Sequence, residues 1–63
     1  MGEPADPLRT LRHDLSNPLA AILAETQLLL LNADHFDAET VGSLRQIEAL
    51  ARKMRQILQA LDA

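Results

Sequence analysis

Apolar residues recur along this chain at intervals of three and four, in two blocks parted by a short polar stretch. In a seven-residue frame the first block places Leu8, Leu15, Ile22 and Leu29 in column a, Leu11 and Pro18 in column d, and Leu19 and Thr26 in column e. Only Glu25 is out of character in d. This is the repeat of one face of an α-helix. Asp6 and Pro7 mark its start, with a side-chain oxygen at the N-cap and then a ring that pre-sets the backbone where no amide donor is missed. Helix one is predicted over about residues 7–31, after a tail at 1–6.

The stretch Asn32-Ala33-Asp34-His35-Phe36-Asp37 interrupts the pattern over a length suited to joining antiparallel helices. Asp37 is placed to cap the next helix, Glu39 to favour its positive end, and Phe36 to pack on Val41 as a hydrophobic staple. Helix two is predicted over about residues 38–62, with Ile47, Met54 and Leu61 at a, Leu50 and Ile57 at d, and Leu44, Ala51 and Leu58 at e. Arg45, Gln46, Glu48, Arg52, Lys53, Arg55, Gln56, Gln59 and Asp62 take other positions and read as a solvated face. A stripe three columns wide exceeds the seam of a two-stranded coiled coil, so each helix is expected to touch two neighbours. One hairpin cannot supply them; two can. The expected fold is therefore all-α, an antiparallel helical hairpin forming a homodimeric four-helix bundle, with residues 7–63 as its single domain.

Size supports that expectation. A core drawn from 63 residues buries too little apolar surface to offset chain entropy comfortably. Without cysteine, neither a disulfide framework nor a thiolate metal site makes up the difference. The net charge of −3 speaks against nucleic acid and against an anionic membrane surface. The run of four leucines, Leu28 with Leu29, Leu30 and Leu31, is about one helical turn, far short of the ~20 residues of a membrane span. Residues 1–5 lack the basic and apolar regions of a signal peptide and read as a start segment. The partners expected are proteins and the location cytoplasmic. There is no Gly-rich phosphate loop and no strand pattern, so no nucleotide site is expected within the chain.

The chemistry concentrates around His13. In the frame above it occupies column f, opposite the apolar stripe, and is predicted to be reachable from water. Asn17, four residues on, shares its face; Asp14 lies about 100° round the helix and approaches the ring sideways. A carboxylate accepting from one ring nitrogen fixes the tautomer and raises the basicity of the other, as an imidazole attacking phosphorus requires. The same spacing suits the orienting of a water. Pro18 removes the amide that would bond the Asp14 carbonyl, at ~3 kcal/mol or a bend. Either a kinked helix continues through Pro18 or a new helix begins at Leu19; the unbroken apolar register favours the first.

The segment His13-Asp14-Leu15-Ser16-Asn17-Pro18-Leu19 closely resembles the H-box of sensor histidine kinases, His-(Glu or Asp)-Leu-x-(Thr or Asn)-Pro-Leu, in the branch that uses Asp and Asn. With the hairpin length and the second amphipathic helix, the resemblance to that family's dimerisation and histidine-phosphotransfer domain covers nearly the whole chain. It implies that His13 is the phospho-acceptor and Asp14 its acid/base partner. Asn17 is implied to position the water for dephosphorylating a receiver domain, and Pro18 to supply a helix bend. It further implies that ATP and magnesium are held by a separate catalytic domain, and that the phosphoryl group passes to an aspartate of a response regulator. This segment alone is then not an active enzyme. The rivals are a purely structural dimerisation module or degenerate kinase remnant, and a monomeric phosphotransfer domain, which would need four helices in one chain.

Below His13 on its exposed side come Ala20, Ala21, Ala24 and Gln27, a strip of little bulk and no charge. It reads either as a docking surface for the receiver or as alanine used for helix propensity. His35 between Asp34 and Asp37 reads as a solvated turn, with no metal site expected. Gly42 costs ~1 kcal/mol in a helix interior and is explained equally by close approach of a partner or by its exposed first turns.

Overall fold

The computed structural model describes residues 7–61. Two long helices, α1 (Pro7–Leu30) and α2 (Ala38–Ala60), are joined by a connector containing a single 3-10 turn, Ala33–His35. The helices pack on one another. They run antiparallel, because the seven residues 31–37 reach at most ~25 Å, short of the ~35 Å length of either helix. The predicted tail at 1–6 and the Asp6 cap lie outside the described residues. So does Asp62; α2 ends at Ala60 with Leu61 as its C-cap.

Local chemistry accounts for the boundaries. Asp37 sits in extended backbone and its carboxylate accepts from the Thr40 amide at 2.7 Å, satisfying one of the orphan donors at the start of α2. The Thr40 hydroxyl and then the Thr40 amide hold the Asp37 carboxyl below its ordinary value of 3.8. Glu39 lies in the first turn, and Phe36 and Val41 are both half-buried beside it. Helix α1 passes through Pro18 without a break, so the continuous reading holds.

The packing seam differs from the predicted stripe. Buried positions are Leu19, Leu23 and Thr26 on α1 and Ala51 and Leu58 on α2. Arg12, Ser16, Leu30, Val41, Leu44 and Glu48 are half-buried. Within the hairpin these are columns e and b, whereas columns a and d, expected in the core of a dimeric bundle, are exposed: Ile22 at 50%, Leu50 at 51%, Ile57 at 54%. The reason is geometric. With one neighbour each, the helices cover one sector of their surface, and the choice of e with b turns a and d away from the seam. Glu48, expected to be solvated, lays its stem in the seam while its carboxylate accepts from Arg52 at 3.3 Å. The buried Thr26 hydroxyl is satisfied by donating to the Ile22 carbonyl at 2.7 Å.

The seam is graded along its length. Near the connector it is made by Leu19, Leu23, Leu30, Val41 and Leu44; toward the start of α1 it passes to Ser16 and Arg12, with Leu58 as the buried side chain from α2. Taken in antiparallel order from the connector, the covered positions of the two helices match as Leu30 with Val41, Leu23 with Glu48, Leu19 with Ala51 and Arg12 with Leu58. Among the described residues no helix is long and apolar enough to cross a membrane.

Candidate functional site

Helix α1 presents two faces beyond the seam. Columns a and d carry the exposed Leu11, Leu15, Ile22 and Leu29, and α2 extends this apolar surface with Ile47, Leu50, Met54, Ile57 and Leu61. Columns c, f and g form the outward face, and there His13, Asp14 and Asn17 are all exposed. Column f adjoins column b, so His13 stands at the outer rim of the seam, beside the half-buried Ser16 and Arg12. Its position follows from the frame: burying e with b and leaving a and d exposed still leaves f in water.

The helical spacing brings Asn17 under His13 on one face and leaves Asp14 to the side. No side-chain hydrogen bond or ion pair joins His13 to either of them among the described residues. The pairing of imidazole and carboxylate expected from the sequence is thus a matter of shared surface in this state, without a formed contact. Pro18 is exposed next to this group, and its missing amide leaves the Asp14 carbonyl without the usual donor one turn on.

Below this cluster Ala20, Ala21, Ala24 and Gln27 are exposed along the outward face, as their columns require. Two residues extend the strip that sequence reasoning did not include: Leu28, 56% exposed, and Leu31, 79% exposed. With Ala24 and Gln27 they line a shallow concavity of about 480 Å³. The signal was available, since Leu28 falls in column g and Leu31 in column c, apart from every other leucine of the stripe.

Elsewhere, His35 and Asp34 lie 3.9 Å apart, both largely in water. Asp37 is engaged in the helix cap, and among the described residues no three His, Cys, Asp or Glu side chains are grouped to hold a metal ion. A Cβ at Gly42 would meet nothing within 4 Å, so close approach inside the hairpin is not its explanation. No protein-family model matches this chain, and no curated protein and no solved structure matches it.

Proposed function

We propose that this chain is the dimerisation and phosphotransfer segment of a sensor histidine kinase. The reading is carried by one observation: an H-box-like sequence, residues 13–19, stands on the outward face of a helical hairpin whose separate a and d face is apolar and exposed. The first feature suits a group that must meet other domains, and the second suits a second copy of the same hairpin.

The energetics favour the pairing. Ten large apolar side chains in columns a and d, from Leu8 to Leu61, keep 41–57% of their surface exposed. Covering the remaining half of each contributes about 1 kcal/mol, or on the order of 10 kcal/mol per hairpin before the entropy of association is subtracted. That is the usual scale of a stable helical dimer interface. The outward face takes no part in it, which leaves His13 accessible in the dimer.

In this proposal a ring nitrogen of His13 attacks the γ-phosphorus of ATP, the bond to the ADP oxygen breaks, and the imidazole proton leaves toward solvent with Asp14 nearby as acceptor. A carboxylate oxygen of a receiver aspartate then attacks the same phosphorus and the bond to nitrogen breaks. Asn17, one turn below His13, orients a water when the receiver is to be dephosphorylated. By the same resemblance, nucleotide and magnesium are held by a separate catalytic domain. The strip of Ala20, Ala21, Ala24 and Gln27, widened by Leu28 and Leu31, is the receiver's docking surface, and the parent protein is cytoplasmic at this segment.

The test is to mix the chain with a histidine-kinase catalytic domain and labelled ATP. The expected product is a label that is acid-labile, base-stable and absent from His13→Gln. Label persisting in that variant removes His13 from the role. A dimer that takes up no label at all leaves the structural dimerisation module as the reading.

A further inference from the structure

His13 stands on α1 at the rim of the seam, and α2 borders the same rim from the other side. Because the antiparallel helices face one another through columns e and b, the edge running from b to f lies on the same outer side of the hairpin in both. On α2 that edge carries Arg55 in column b and Arg52 in column f. Carried on from Leu23 matched with Glu48, the antiparallel order of column b puts position 55 against Ser16. Ser16 is three residues beyond His13, about 4.5 Å along the axis. Its side chain is too short to screen one side of the rim from the other.

The other charged groups around His13 are already committed or are acidic. Arg52 donates to Glu48 at 3.3 Å. Arg9 and Arg12, on α1 itself, each have interactions of their own. Asp14 is negative. Arg55 is exposed and its guanidinium makes no hydrogen bond or ion pair among the described residues. A long flexible stem with an uncommitted planar guanidinium, about one turn along the axis from the imidazole but on the neighbouring helix and on the same side of the hairpin, is suited to a group bearing several anionic oxygens.

We infer that Arg55 is a phosphoryl-binding residue: its guanidinium crosses above Ser16 and donates to the non-bridging oxygens of a phosphoryl group carried on His13. The assignment deepens the phosphotransfer reading and takes its biological meaning from it, but the interaction itself is physical and measurable without any partner domain. It places the phosphorus against the seam, so that the incoming acceptor meets it from the outward face.

Phosphoramidate provides the measurement. A ring nitrogen attacks its phosphorus, the bond to the amine breaks, and ammonia leaves with the imidazole proton, so both exposed histidines are labelled. Phosphorus NMR then titrates each phosphoryl group. His35, on the connector beside Asp34, is the internal control, and His35→Gln assigns the two resonances. The phosphoryl group on His13 is expected to lose its second proton about three-quarters of a unit below that on His35, the size of an opposite charge ~4 Å away in water. Arg55→Gln should raise the His13 value by that amount and leave His35 unchanged, while Arg55→Lys keeps part of the depression. Circular dichroism confirms that each variant keeps its helices. Identical His13 titrations in the native chain and Arg55→Gln, or no labelling of His13, overturn the assignment. Neither result depends on whether a catalytic domain phosphorylates His13, so the two proposals fail separately.

Discussion

Replacing Ile22 and Ile57 by glutamate tests the division of labour between the two apolar surfaces of the hairpin. Ile22 is 50% exposed and Ile57 54%, so about half of each side chain is still available for a second copy to cover. At ~25 cal/mol per Å² of apolar surface, that half contributes about 1 kcal/mol per residue. Each substitution occurs twice in a dimer, so four side chains are lost and about 4 kcal/mol with them. This weakens association about a thousandfold, since each ~1.4 kcal/mol is a factor of ten. Bringing carboxylates into an apolar interface adds to the effect. Sedimentation velocity over a concentration series reads the result: a dimer for the native chain at micromolar concentration, and a monomer of reduced helicity for the double variant. The reduced helicity follows because a lone hairpin has a small core. Ala20→Glu, on the outward face, serves as control and should sediment as the native chain does. A double variant that dimerises undiminished, or a native chain that is a folded monomer, refutes the assignment of columns a and d.

Three further outcomes are expected. Leu23→Ala, at a position 5% exposed in the seam, should destabilise the hairpin by about 2–4 kcal/mol, read as a lower urea midpoint by circular dichroism. Because the Thr40 hydroxyl and amide hold the Asp37 carboxyl below 3.8, its folded value is the lower one. Its contribution to stability is therefore complete above that ordinary value and lost as pH falls through the folded one. Thermal midpoints of the native chain should drop more steeply than those of Asp37→Asn between about pH 5 and about pH 2. Ala24→Glu, inside the concavity of α1, should slow phosphoryl transfer from His13 to a receiver by about tenfold while leaving sedimentation unchanged, as expected of one charge placed in a docking contact worth ~1.4 kcal/mol.

The sequence by itself determined what is decided within a turn or two of the chain. The two helices, the connector between them, the Asp37 cap with its Thr40 partner and the passage of α1 through Pro18 all follow from local hydrogen bonding and apolar period. The outward position of His13 with Asn17 beneath it follows too, because column f lies opposite the apolar stripe however that stripe is divided. The tertiary structure alone decided how the stripe is shared. Leucines in columns a, d and e look alike along the chain, and column b, with Leu23, Leu30 and Val41, is not part of the predicted stripe. Only the packing of one helix on the other picks e with b for the hairpin and leaves a with d exposed. It also draws the stem of Glu48 into the seam. The physical reason is that periodicity reports which residues share a face of one helix, whereas burial depends on the rotation of each helix about its own axis, and that angle is fixed by the sum of contacts with a neighbour far away in the chain.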